Sequence, residues 1–335
     1  MRLSVIIPTY NRGLKLSATL QALLASNTAG LNQVEVLVVD DGSLVPAAPV
    51  VDLQRTAFPF TLRCIRQGNG GPAKARNAGF RASHGDIVLF MDDDIIVPPQ
   101  VLCQHIEAHR SCPGSVIIGS CQLLEPEPSS PLFRYIESLD GRPAIRASDE
   151  FRATGIVASG QLSVERKLFD PGAGVYCDGL ATPGAEEYEL SVQLQQRGVP
   201  ILHAARILAR HDHPIAIASL CRQQYKHAVA CAEAAVKCPA TLELLELSRI
   251  ITANGTSGSL HTLRQKFRWA VKCIARTRPI YTCLLRLAQG VEILLPRDAI
   301  LRPLYAAAIS AHFCAGVKDG LKKYAGQRAE IVDRN

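Results

Sequence analysis

Aromatic residues are scarce in this chain: Phe, Trp and Tyr make up 5% of 335 residues, and Trp occurs once. An aliphatic core must supply the packing, and the sparse aromatics, with no recognition motif, argue against nucleic acid as a partner. The eleven cysteines are scattered with no Cys-x-x-Cys pair. That excludes a zinc ribbon or a redox motif and predicts free thiols that pack as small apolar groups in a reducing compartment. No uninterrupted apolar run of about 18 residues occurs, so a spanning helix is not expected. Leu3 to Pro8 is too short for the apolar core of a signal peptide and lacks a cleavage site, so the expected location is the cytoplasm. There is no internal repeat and no low-complexity tract. The glycine-rich Gly68-Asn-Gly-Gly-Pro72 is neither a P-loop nor a dinucleotide fingerprint.

What is present divides the chain in two. The length suits two domains or one elaborated domain. After residue 214, Lys and Arg outnumber Asp and Glu by 18 to 8, whereas residues 1–214 hold 19 against 22. A basic region beside a near-neutral one points to an anionic partner. Residues 1–214 are expected to form an α/β domain and residues 215–335 a mainly helical, basic extension.

The first domain alternates between two periods. Apolar strands are expected at 3–7, 34–39, 61–65, 86–91 and 115–121, with further strands at 156–164 and 201–209. Helical spacing marks 14–24, 73–82, 99–110 and 186–196, with Pro72 in a first turn and Gly198 as a stop. The stretches 44–60 and 122–154 carry several prolines and read as irregular, and 170–184 reads as a loop. Such alternation predicts a mostly parallel sheet covered by helices. Beyond His213-Pro214, helices are expected over 215–238 and 258–323, joined by a linker at 250–260.

Acids close two of the strands. Asp40-Asp41 follows the second, and Asp92-Asp93-Asp94 follows Ile87-Val-Leu-Phe-Met91. Three adjacent carboxylates raise one another's pKa. A hard divalent cation removes that cost, and Mg²⁺ or Mn²⁺ prefers carboxylate oxygen together with phosphate and water. Ligands of open α/β sheets bind at the carboxyl ends of strands.

Five segments together resemble the nucleotide-sugar-binding half of a family 2 inverting glycosyltransferase with the GT-A fold. They are Ser4-Val-Ile-Ile-Pro-Thr-Tyr-Asn-Arg12, Glu35-Val-Leu-Val-Val-Asp-Asp-Gly-Ser43, Gly71-Pro-Ala-Lys-Ala-Arg-Asn-Ala-Gly79, Asp92-Asp-Asp94 and Pro183-Gly-Ala-Glu-Glu-Tyr-Glu-Leu190. The resemblance covers roughly residues 3–213. It implies a GT-A-type, Rossmann-like sheet and transfer of a sugar from a nucleoside-diphosphate donor to a hydroxyl of a glycan or lipid-linked acceptor. It also implies roles. Asp41 would hold the base, with Asp40 beside it and Pro8, Thr9 and Tyr10 lining the pocket. Arg76 and Asn77 would serve the donor, with Lys74 on the same helix. Asp94 would coordinate Mg²⁺ or Mn²⁺ directly, and Asp92 would meet ribose or a metal-bound water, with Asp93 between them.

In the same way Glu187 is implied as catalytic base. Glu stands where the family has Asp, however, and the extra methylene leaves Glu186 open as the alternative. Gln193 replaces a frequent arginine and Gln161 a frequent asparagine, the latter on the acceptor side. His211, and less so His213, would meet the diphosphate or metal. The basic set Arg264, Lys266, Arg268, Lys272, Arg276 and Arg278, near Trp269, Ile274, Ile280 and Leu284, reads either as a peripheral membrane-surface element or as a solvated helical face. A nucleotidyltransferase would need a basic glycine-rich loop after the first strand, where Pro8-Thr-Tyr-Asn-Arg12 stands. A non-catalytic sugar-nucleotide-binding or scaffold protein is the remaining alternative.

Overall fold

The computed structural model describes residues 1–31, 33–123, 129–139, 151–180, 182–212, 215–241 and 278–332. His213, the linker at 250–260, the basic residues 264–276 and the side chain of Arg278 lie outside the described residues. The chain divides into two compact units, residues 1–124 with 145–213 and residues 125–144 with 214–335. A single cut after 214 would leave 125–144 in the first unit, whereas the fold gathers it with the C-terminal one.

In the first unit the elements run β1 (Arg2–Thr9), α1 (Gly13–Leu24), β2 (Gln33–Asp40), α2 (Ala48–Arg55), β3 (Thr61–Arg66), α3 (Pro72–Ala82), β4 (Ile87–Met91), β5 (Ile95–Ile96), α4 (Val101–Ser111) and β6 (Val116–Leu123). Outside α5 (Pro131–Leu139), which belongs to the second unit, β7 (Arg152–Ala153), β8 (Gln161–Glu165), α6 (Ala185–Gln196) and β9 (Ile201–His211) complete it.

The sheet order is β3-β2-β1-β4-β8-β6-β9-β5, with β7 also paired to β9. Strands β3, β2, β1 and β4 are parallel, as are β6 and β9. β8 runs antiparallel to both β4 and β6, and β5 and β7 run antiparallel to β9. The chain leaves β1 toward β2 and β3 on one side, then returns to place β4 on the other. This reversal opens a crevice at the carboxyl ends of β1 and β4.

Alternation along the strands feeds two cores. Val5, Ile7, Leu89 and Met91 pack with Leu16, Leu20 and Ile106 on one face, and Ile6, Val88 and Phe90 pack with Phe80, Leu190 and Leu194 on the other. The 44–60 stretch differs from expectation: it contains α2, with Pro49 in its first turn, where a missing N–H costs nothing. The expected strand at 156–164 begins only at Gln161.

The second unit holds α5, α7 (Ile217–Lys237), α8 (Arg278–Leu294) and α9 (Asp298–Val332). Leu132, Tyr135, Ile217, Cys221, Leu301 and Tyr305 share one buried cluster. Helices α7 and α9 approach closely through small residues: a Cβ at Gly316 would lie 2.3 Å from the Tyr225 carbonyl oxygen, and one at Gly320 would lie 2.7 Å from Ala232 Cβ. The α9 stretch Asp298–Tyr324 is 27 residues long and, by length and composition alone, apolar enough to cross a membrane, although half of its apolar window is buried within the protein. Interrupting charges hide this stretch from a search for an unbroken apolar run.

Candidate active site

The acidic triplet sits at the crevice and its three carboxylates meet different surroundings. Asp93 points inward. Its Oδ2 accepts from Thr9 Oγ1 at 2.6 Å and its carbonyl accepts from Thr19 Oγ1 at 2.9 Å, tying β4 to β1 and α1. Burial pushes the Asp93 carboxyl up to about 6, against the pull of Arg12 at 2.8 Å. Burial also acts on Asp94, but His211 and Arg12 outweigh it and hold that carboxyl at about 2. Arg12 bonds Asp94 Oδ2, and His211 Nε2 stands 3.1 Å from Asp94 Oδ1. His211 is in turn held above the ordinary imidazole value: burial opposes this, and the Asp94 carboxylate prevails. Pairing of Ile95 with His211 and the Asp212 N–H bonded to the Asp94 carbonyl bring the end of β9 to this point.

Asp92 faces outward and accepts from Arg76 Nη2 at 2.9 Å. The other end of that guanidinium donates to Glu186 Oε1 at 3.1 Å. Arg76 is 5% exposed and Glu186 2% exposed, so the pair is desolvated, and Arg76 is driven further into its charged form by these acids although burial opposes it. Glu186 Oε2 also accepts the Gly184 N–H at 2.7 Å, closing the first turn of α6. Glu187, one residue on, accepts the Ser159 N–H at 2.8 Å. Burial first, and the neighbouring Glu186 charge, push Glu187 up to about 7 against the pull of Arg76.

The other predicted residues lie as follows. Asp40 is enclosed. Its oxygens accept from the Ser43 and Ala47 N–H groups and from Arg66, which hold it below the usual carboxylate range although burial alone would raise it. Asp41 Oδ1 accepts from Gln67 Nε2 and the Gly70 N–H, and Oδ2 from the Gly71 N–H at 2.8 Å. Gly71 has φ +89°, which a side chain would strain, and it opens α3. Asp41 therefore fixes the glycine turn, and Oδ2 has capacity for a further donor. Tyr10 is exposed beside it, and Pro8 pairs with Val39 within the sheet.

Asn77 does not face the crevice. Its side chain is fully buried. It donates to the Tyr176 carbonyl at 2.6 Å and Asp178 at 2.8 Å, and accepts from the Val175 and Tyr176 N–H groups. Its hydrogen-bonding capacity is spent on holding the 174–178 loop. Gln161 is buried in the sheet, Gln193 bonds Glu189 on its own helix, and Lys74 is exposed.

Arg12, the last residue of the first motif, is a site residue that its motif does not assign. Its place one turn beyond β1, on the same edge as the triplet, was the available signal. Lys15, which pairs with Asp212 at 2.7 Å, carried none.

Neighbouring ligands of a six-coordinate ion with bonds of about 2.1 Å lie about 3 Å apart. Asp94 Oδ1 and His211 Nε2, 3.1 Å apart, meet that spacing. Among the described residues no three of His, Cys, Asp and Glu gather as a metal cage. Two protein donors completed by phosphate and water is the arrangement that such ions favour with nucleotides.

A Rossmann-like sheet with acids at its switch point and a helix opening on paired glutamates defines a GT-A-type fold. Residues 4–151 match the family described as "Glycosyl transferase family 2". Validoxylamine A glucosyltransferase of Streptomyces hygroscopicus subsp. jinggangensis is 28% identical over 80% of this chain and 68% of its own length. The chain spans only 34% of another curated relative. A Pyrobaculum calidifontis mannosyltransferase, solved with GDP-Man and Mn²⁺, superposes with a TM-score of 0.60 at 17% identity over 94% of this chain and 86% of its own. S. aureus TarS in complex with UDP-GlcNAc gives 0.50 at 16% identity, covering 98% and 92%. Residues 4–151 are thus similar to family 2 glycosyltransferases, and the fold is of the GT-A type.

Proposed function

We propose that this chain transfers a sugar from a nucleoside-diphosphate donor to a hydroxyl of a glycan or lipid-linked acceptor, with inversion. The observation that carries this reading is Glu187. It is a carboxylate raised to about 7 beside Glu186, which Arg76 links to Asp92 of the acidic triplet. A general base works best with a pKa near the operating pH. Glu187 would take the proton from the attacking hydroxyl while its Ser159 contact keeps it oriented. Glu186, buried between Arg76 and the Gly184 N–H, is committed to positioning. Arg76 would fix both the Glu186–Glu187 turn and Asp92.

Asp94 and His211 would hold Mg²⁺ or Mn²⁺. Bound there, the ion would neutralise charge on the leaving diphosphate. Asp41 and the Gly70–Gly71 turn would receive the base, with Thr9 and Tyr10 beside it. Mn²⁺ with GDP-Man, and UDP-GlcNAc, in the two structural neighbours support a donor of this class.

A cytoplasmic enzyme resting on an anionic membrane face fits the basic C-terminal region. Support comes from the α8–α9 junction, where Ile293 is 81% and Leu294 77% exposed beside the exposed Arg286 and Arg297.

The deciding experiment is a donor panel of UDP- and GDP-sugars with Mn²⁺ and purified protein, followed by Glu187→Gln. Turnover should fall about 10²-fold or more with nucleotide binding retained. Binding without any turnover, insensitive to Glu187→Gln, would favour a sugar-nucleotide-binding scaffold. Lethality of Glu186→Gln alone would move the base to Glu186.

A further inference from the structure

Four buried polar side chains behind the acidic rim form one connected chain. His105 and His109 lie on α4, and Gln161 and Ser163 on β8, none more than 1% exposed. Polar groups so deep are costly unless they bond one another. Ser163 Oγ is 2.8 Å from both His105 Nδ1 and His109 Nε2, and His105 Nε2 is 3.3 Å from Gln161 Oε1.

The direction of each bond follows by elimination. Gln161 Nε2 reaches two carbonyl oxygens, Ser120 at 3.2 Å and Ile207 at 3.3 Å, so that end is the amide NH₂. Its Oε1 then accepts from His105 Nε2–H. Burial keeps His105 neutral, at about 3, and His109 likewise at about 4. A neutral ring has one N–H, so His105 Nδ1 accepts from Ser163 Oγ–H, and that oxygen accepts from His109 Nε2–H.

The two carbonyls that Gln161 joins meet at a break in the ladder: Ser120 is the first residue of β6 paired beyond it, and Ile207 is the last residue of β9 within it. β6 and β9 pair Gly119 with Ala204, then Ser120 with Leu208, so Ala205, Arg206 and Ile207 are skipped. An irregularity of this kind resets which side chains face each side of the sheet downstream. Downstream here means Leu208 to His211, whose last residue meets Asp94. Gly119 leaves room for the brace, since a Cβ there would stand 2.3 Å from Gln161 Nε2. The residues just before Gln161 also touch the site: the Gly160 carbonyl accepts the Asp92 N–H at 3.2 Å, and the Ser159 N–H donates to Glu187.

We infer that Gln161, oriented by the His109–Ser163–His105 chain, is a positioning residue that pins the β6–β9 irregularity and so sets His211 against Asp94 for a divalent cation. This inference rests on the reading of Asp94 and His211 as the cation's protein ligands.

The test is Mn²⁺ binding to the full chain, followed by electron paramagnetic resonance with and without UDP or GDP, alongside thermal unfolding. Gln161→Met keeps the length and removes the amide. It should weaken Mn²⁺ binding about tenfold, the order expected when the orientation of a ligand is lost, while unfolding stays cooperative. Ser163→Ala, a smaller change, should act in the same direction by about threefold or more, and decides the matter if Gln161→Met does not fold. Lowered thermal stability with Mn²⁺ affinity unchanged would make the chain merely structural and overturn the inference. Asp94→Ala and His211→Ala separate the two readings. If both bind Mn²⁺ like the parent, the cation reading fails and this inference with it. If both lose Mn²⁺ while Gln161→Met and Ser163→Ala do not, this inference alone fails.

Discussion

Asp94 Oδ1 and His211 Nε2 stand 3.1 Å apart, although 117 positions of sequence separate the two residues. The first lies three residues beyond the end of β4 and the second ends β9, and antiparallel pairing of Ile95 with His211 closes the gap. Asp94→Ala should weaken Mn²⁺-dependent binding of a nucleoside diphosphate at least ~10-fold, with metal-free protein still folded. Calorimetric titration with and without Mn²⁺ checks it, and equal affinities would remove the cation from the site.

Glu187 carries a pH signature. Its folded value, about 7, lies above the ordinary carboxylate range because of burial. As a base it must be ionised, so turnover should rise with pH through about 7 and level off above. Stability runs the other way. A carboxyl raised in the folded state favours protonated protein, so stability is lost as pH climbs from the unfolded value toward 7. Glu187→Gln should remove both dependences and make the protein more stable than the parent at pH 8. Melting temperatures across pH 5 to 8 test the second half without any substrate.

Arg76 bridges Asp92 and Glu186 in a nearly closed interior. Arg76→Met would leave Glu186 buried and unpaired, and breaking a buried pair on one side costs about 3–5 kcal/mol. Denaturant unfolding should show a loss of that order. A change below 1 kcal/mol would mean that Glu186 readily reaches water.

Asn77 is the latch of the 174–178 loop. Asn77→Ala removes four hydrogen bonds and leaves buried loop amides unsatisfied, at about 1–3 kcal/mol for such a group. Faster proteolysis at 174–178 together with intact nucleotide binding is the expected pattern. Lost nucleotide binding with unchanged loop protection would return Asn77 to the donor.

The strands and helices of the first unit were largely legible because each is written in the spacing of adjacent residues. Ile87 to Met91 shows its buried strand in five letters, and the acids that follow it mark the rim. Helix α2 was hidden because Pro46, Pro49 and Pro59 signal irregularity, yet Pro49 falls in a first turn. The antiparallel insertion of β8 between β4 and β6 was also invisible, since strand direction is not carried by local pattern.

The sequence by itself determined which residue types stand at the strand ends and at the opening of α6, because those are neighbours along the chain. Only the tertiary structure decided what each does. It set Arg12 against Asp93 and Asp94, enclosed Glu186 while raising Glu187, and turned Asn77 away from the crevice toward a loop about 100 positions on. Charge, burial and hydrogen bonding are properties of distance in space, and residues far apart in sequence acquire them only when the sheet brings them together.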